Sequence, residues 1–285
     1  MMTRDSLNDD LRIGSLLAVL TMPLLAGCQA TNIVTADELK NGLVLILPGI
    51  EGPSRHNANI ARGLREGGVE SAIQIYDWGT GSPVGFLVHL TDLERNRRQA
   101  KRLARRILAY QSTFPNRPVH LIGHSGGGGI AILTLEYLPP ESKVTSAILL
   151  AGAVSREHDL RRALTRTEHG IWNFYSKKDI GFLTVGTSLF GSIDRGYGRA
   201  AGAAGFKTLP NLSKQEQKFY EAMLHQVPYA DDMKESGHNG SHTGWASTGF
   251  SRDWLAPMLQ EQIAASPKKR IHLSKAGTGP APATP

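Results

Sequence analysis

Residues 123–127 read Gly-His-Ser-Gly-Gly, a serine with almost no side-chain bulk two positions to either side. The pattern G-x-S-x-G suits a nucleophile held on a sharp turn between a strand and a helix. Both flanks fit that setting: "VHLIG" (119–123) is an apolar run of strand length, and "GGIAILTLEYL" continues as a helix stopped by Pro139 and Pro140. Gly123 and Gly127 then stand where larger side chains would collide with the neighbouring strand and helix. The helix N-terminus turns N–H groups and a positive dipole end towards negative charge that develops at the serine. A phosphate-cradling loop would need a lysine after its glycines, and Ile130 and Ala131 stand there instead. A serine hydroxyl alone is a weak nucleophile, so Ser125 requires a general base and an acid that orients that base.

The elements that must position these groups alternate between strand and helix. "LVLIL" (43–47), "VESAIQIYDW" (69–78), "VHLIG", "VTSAILLAG" (144–152) and "IWNFYS" (171–176) read as strands. "SRHNANIARGLREGG", a basic segment of about 91–113, "GGIAILTLEYL", a short "REHDLRRALTR" and 251–265 read as helices. "QKFYEAMLHQV" fits either a strand or a helix. Such alternation implies an α/β fold with a mostly parallel sheet and helices on both faces. Sites in these sheets lie beyond the C-terminal ends of the strands, which is where Ser125, Gly49 and Asp179 fall.

Four motifs taken together, "LPGIEG", "GHSGG", "YSKKD" and "GSHTGW", resemble the α/β-hydrolase superfamily over residues 42–265. The resemblance implies a triad in the order serine, acid, histidine. Asp179, two lysines past the strand 171–176, stands at the acid position, with Asp194 in "GSIDRG" as its rival. His242, flanked by Gly240, Ser241 and Gly244, stands at the base position, with His238 as competitor. His124 is expected to pack away from Ser125. The oxyanion donors are expected to be the N–H groups of Gly126 and Ile50. Glu51, beside that loop, either points outward towards Arg55 or reads a donor on the substrate. His238 and His242 have no nearby carboxylate or cysteine to complete a metal site, and no metal or cofactor is implied.

The function implied is hydrolysis of a carboxylic ester or related acyl bond through an acyl-enzyme. The alternatives are acyl transfer to an alcohol on the same triad, and a non-catalytic envelope binding protein that retains the fold. Only 151–170 separate the fourth and fifth strands, which leaves no room for a large lid. Phe182, Leu183, Leu189 and Phe190, in "GFLTVGTSLFG", either line an acyl pocket or pack as a surface loop.

The chain has 285 residues, 40% of them hydrophobic and 20% charged, enough for one large core. Net charge is +7, with many of the cations in "ERNRRQAKRLARR" (94–106). No zinc-finger spacing, RNP-like string or aromatic-interleaved basic strip accompanies them, so this segment reads as a solvated amphipathic helix and nucleic acid is not an expected partner. The single cysteine, Cys28, precludes an internal disulfide. It lies in "LRIGSLLAVLTMPLLAGCQA", after an apolar stretch from Ile13 of signal-peptide length, and Leu25-Ala26-Gly27-Cys28 looks like a bacterial lipobox. Asp5, Asp9 and Asp10 outnumber Arg4 and Arg12 ahead of it, a departure from the usual basic start. The expected organisation is a lipoprotein signal peptide at 1–27, a linker at 28–41, the hydrolase domain at 42–265 and a polar, proline-rich tail at 266–285. Acyl chains on Cys28 would anchor the chain to a bacterial membrane in the cell envelope.

Overall fold

The structure, a computed structural model, describes residues 34–79, 92–179 and 199–265. The signal peptide and Cys28, the segment 180–198 with Phe182, Leu183, Leu189, Phe190 and Asp194, and the tail lie outside the described residues.

The five apolar residues of β1 (Leu43–Leu47) are buried on both faces, as a strand in the middle of a parallel sheet requires. β2 (Ala72–Ile75), β3 (Val119–His124), β4 (Ser146–Leu150), β5 (Ile171–Tyr175) and β6 (Leu224–Pro228) complete a six-stranded sheet in the order β2-β1-β3-β4-β5-β6. All five pairings are parallel. β2 is shorter than the 69–78 expected from sequence: its pairing with β1 runs from Ala72 to Ile75, with one further bond from the Tyr76 N–H to the Ile46 carbonyl (2.9 Å). "QKFYEAMLHQV" proves to be both elements in direct succession: a helix, Lys214–Met223, runs straight into β6.

The helices of six or more residues among the described residues are α1 (Ala36–Asn41), α2 (Arg55–Glu66), α3 (Leu93–Thr113), α4 (Gly126–Tyr137), α5 (Lys214–Met223) and α6 (Ala256–Ala265), the last entered through a π-helical turn, Ser251–Leu255. α1 falls within the expected linker, yet it packs into the domain. Thr35 and Glu38 form a reciprocal cap, and the Tyr110 hydroxyl donates to the Leu39 carbonyl at 2.7 Å. The expected helix in 156–166 shrinks to one turn, Arg161–Leu164. No lid domain interrupts β4 and β5. α4 is buried over its first ten residues, so its apolar character runs round the helix rather than along one stripe. α3 is amphipathic as its spacing predicts, with Ala100, Leu103, Ala104, Ile107 and Tyr110 inward. Arg95 departs from the expected solvated charge by being buried.

The strand order reverses between β1 and β3, since β2 lies on one side of β1 and all later strands on the other. A crevice opens at such a reversal beyond the strand ends. Leu47 pairs in register with Gly123, so the loop after β1 and the turn after β3 leave the sheet side by side.

Candidate active site

Ser125 directly follows β3 and caps α4 with φ 53° and ψ −119°. A non-glycine residue there carries strain of about 1–3 kcal/mol, which its surroundings must hold. Three backbone bonds do so: Ser125 N–H donates to the Leu150 carbonyl (2.9 Å), and its own carbonyl accepts from Gly128 (3.0 Å) and Ala153 (2.9 Å). The glycines are steric requirements. A Cβ on Gly123 would lie 2.5 Å from the Gly127 carbonyl oxygen, and one on Gly127 would strike the Leu47 and Pro48 carbonyls. Gly128 has a separate reason: a Cβ there would come 2.9 Å from the Gly152 Cα beyond β4.

The two expected oxyanion donors lie together. A Cβ built on Gly126 would be 2.8 Å from Ile50 Cγ2 and 3.4 Å from the Ile50 amide nitrogen. Trp78, which sequence reasoning passed over, braces this pair. Its indole N–H donates to the Pro48 carbonyl (2.8 Å), and its ring edge lies 3.3 Å from that same Cβ position. The Arg95 guanidinium donates in turn to the Trp78 carbonyl, which accounts for an arginine in the buried end of α3. A tryptophan closing the strand-like run "IYDW" is the only hint the sequence offered. The Glu51 carboxylate folds back over Gly49, with one oxygen 3.5 Å from Ser54 Oγ. It forms no ion pair with Arg55 among the described residues.

Asp179 is 4% exposed and follows β5 in a turn closed by its N–H to the Ser176 carbonyl (3.1 Å). Its Oδ2 accepts from Nδ1 of His242 at 2.7 Å. Ser176 Oγ donates to the Gly240 carbonyl (2.7 Å), which ties the acid's turn to the histidine's loop. The His124 side chain supports the same loop. Its Nε2 faces the His242 carbonyl at 3.2 Å, and the two rings lie 5.0 Å apart. Burial, then the nearby His242, push the His124 pKa down to about 3, so it is neutral and its Nε2–H is the donor.

His238 sits elsewhere. It is fully buried among Tyr229, Trp245 and Phe250, and its Nδ1 accepts from the Gly240 N–H at 3.0 Å. Burial lowers its pKa to about 4. Gly244 is glycine because a Cβ there would strike this ring. Of the two candidate bases, the structure brings His242 to Asp179 and leaves His238 as a packed support of the loop. No cluster of three or more histidine, cysteine, aspartate or glutamate side chains suited to a metal occurs among the described residues.

A model of the serine aminopeptidase (S33) hydrolases matches residues 39–178, from α1 through the turn after β5, and so includes the Ser125 elbow. The chain belongs to the α/β-hydrolase superfamily. Among solved structures, this α/β hydrolase is similar to lipase B of Aspergillus fumigatus, at 12% identity and TM-score 0.48 over 84% of the chain. It spans 61% of that lipase's length. It is also similar to a cutinase-like protein from Cryptococcus sp. (14% identity, TM-score 0.40, 79% of this chain and 97% of that one). A lidless serine hydrolase from Xanthomonas campestris is a further likeness (12% identity, TM-score 0.39, 78% and 81%). Comparison with curated proteins found no significant match.

Proposed function

We propose that this α/β hydrolase cleaves carboxylic esters through an acyl-enzyme on Ser125, with His242 as base and Asp179 as its orienting acid. The observation that carries this reading is the 2.7 Å contact of His242 Nδ1 with Asp179 Oδ2. With Nδ1 protonated and bound to the carboxylate, Nε2 is the basic nitrogen. Nε2 takes the Ser125 hydroxyl proton as Oγ attacks the acyl carbon. The N–H groups of Gly126 and Ile50 receive the negative charge of the tetrahedral oxygen. The intermediate collapses, and the imidazolium gives its proton to the departing alkoxide. Nε2 then deprotonates a water that attacks the acyl-enzyme, and Ser125 Oγ leaves with the proton. Losing one oxyanion donor of this kind costs about 3–4 kcal/mol.

In the envelope reading, acyl chains on Cys28 hold the enzyme on a bacterial membrane. No described helix is long and apolar enough to span one. Replacement Cys28→Ser should move the protein from the membrane to the soluble fraction, and continued detergent dependence would count against the anchor.

One observation favours a second reading. The Glu51 carboxylate lies on the oxyanion loop over Gly49, a suitable partner for the ammonium group of a peptide N-terminus, and the matching family model is that of serine aminopeptidases. A panel of p-nitrophenyl acyl esters and aminoacyl p-nitroanilides separates the two. Ester turnover unaffected by Glu51→Gln supports the esterase. Anilide turnover that collapses in Glu51→Gln overturns it in favour of the aminopeptidase.

A further inference from the structure

The outer face of α3 serves neither the core nor the chemistry above. Arg97, Arg98, Lys101, Arg102 and Arg105 are all exposed, and Ala109 and Ser112 continue their stripe. Glu94 pairs with Arg97 at 2.6 Å and Lys101 lies over the Tyr137 ring, 5.0 Å from its centroid. Arg98, Arg102 and Arg105 have no ion pair among the described residues. Like charges three and four residues apart destabilise a helix, so folding does not account for the cluster. The inner face of α3 is already satisfied by its buried apolar residues, and uncharged polar groups would solvate the outer face equally well.

A hollow of about 220 Å³ adjoins the stripe between α3, α4 and the one-turn helix Arg161–Leu164. Leu93, Leu133 and Tyr137 line it together with Arg97 and Arg162, while its one carboxylate, Glu136, is engaged by His158 at 2.7 Å. A mixed lining, in which two leucines and a tyrosine stand beside two guanidinium groups, matches a ligand that carries an anionic phosphate on an apolar body. Through Arg95 and Trp78 the first turn of α3 is fixed to the oxyanion loop, so the stripe begins at the end of the fold that holds Ser125.

We infer that the outer face of α3 docks on an anionic phospholipid surface, a contact separate from Cys28 and from the reaction at Ser125. Cations near such a surface each strengthen binding about fivefold at moderate salt, and the attraction decays within a Debye length. A polyanionic nucleic acid offers the same charge but makes no use of the leucine and tyrosine side chains of the hollow.

The test is co-sedimentation of the full chain carrying Cys28→Ser with phosphatidylcholine vesicles, with and without phosphatidylglycerol. The ratio of the two partition coefficients cancels any contribution of the N-terminal segment to neutral bilayers. That ratio should favour phosphatidylglycerol, fall roughly 100-fold in Arg98→Gln/Arg102→Gln/Arg105→Gln, and collapse at high salt. A control with as many charges removed elsewhere, Lys143→Gln/Lys214→Gln/Lys218→Gln, should keep most of the preference. Three results overturn the inference: no phosphatidylglycerol preference in the parent, an equal loss in the control, or tighter binding to duplex DNA than to the vesicles at the same salt. Ester turnover of both variants, measured on a soluble substrate, should match the parent. Because binding should survive Ser125→Ala, failure of the catalytic reading and failure of this one are distinguishable.

Discussion

Three fully buried histidines should make this hydrolase lose stability at mildly acidic pH. His120, His124 and His238 are each 2% exposed or less. Burial depresses their pKa values to about 3, 3 and 4, from 6.5. The hydrogen bonds show why protonation is resisted. Ser146 Oγ spends its one hydrogen on Gln262 (2.6 Å), so His120 Nδ1 must donate to Ser146 (3.0 Å), and its bare Nε2 has no partner among the described residues. His124 donates through Nε2, and its bare Nδ1 has no partner. His238 accepts at Nδ1 from a peptide N–H, which a second proton would oppose. Above pH 6.5 these rings are neutral folded and unfolded, and contribute no pH dependence. As pH falls below 6.5 only the unfolded chain takes up protons, so stability falls by about 1.4 kcal/mol per pH unit per ring. The loss levels off once pH passes the folded values near 3–4. At pH 5 it amounts to about 2 kcal/mol for each ring and about 6 kcal/mol for all three, a large part of a typical domain's 5–15 kcal/mol. Half-buried His225 shifts the same way. Exposed carboxylates with lowered pKa values, such as Asp231 and Glu157, act only at lower pH and leave this window clear. Urea unfolding at pH 7.5, 6.5, 5.5 and 5.0 reads the slope directly. His120→Gln should lower overall stability yet reduce the slope by about a third. Equal stability at pH 7.5 and 5.0 would refute the reasoning.

Further predictions concern the site. Asp179→Asn should keep the fold but favour the wrong His242 tautomer, and reduce kcat for ester hydrolysis by about 10⁴; a loss below tenfold would remove Asp179 from its role. His242→Ala should abolish turnover in a protein that still unfolds cooperatively, whereas His238→Asn should lower thermal stability more than it lowers kcat in the folded fraction. Gly127→Ala should destabilise by about 3 kcal/mol or prevent folding, because the Leu47 and Pro48 carbonyls belong to β1 and its exit and cannot yield cheaply. Trp78→Phe removes the bond to Pro48 and should lower kcat more than it raises KM, by about tenfold, through loosening of the Ile50 donor; unchanged kinetics would detach Trp78 from the oxyanion loop.

Strong local signals made the central part of this fold legible. β1 was readable residue by residue because a strand buried on both faces is apolar without interruption. The Ser125 elbow was readable because its steric demands dictate Gly123 and Gly127. Where two physical solutions share one pattern, the sequence left the choice open. The spacing in 217–227 fits a helix face and a strand alike, and the chain uses both in turn. Gly128 had no local reason, since its neighbour Gly152 arrives from β4. His238 and His242 sit in the same glycine-rich segment, and only the tertiary placement of Asp179 distinguishes them. Arg95 and Trp78 were missed for the same cause. A buried arginine inside a basic helix and a tryptophan at a strand end look ordinary until the oxyanion loop lies between them and Ser125.

The central claim is that Ser125 is an activated nucleophile. Labelling of the folded protein with a fluorophosphonate, with the modified residue located by mass spectrometry, tests it most directly. A stoichiometric adduct on Ser125 is expected, lost in Ser125→Ala and strongly slowed in His242→Ala. Absence of labelling in the folded wild type, or an adduct that persists in Ser125→Ala, would contradict it.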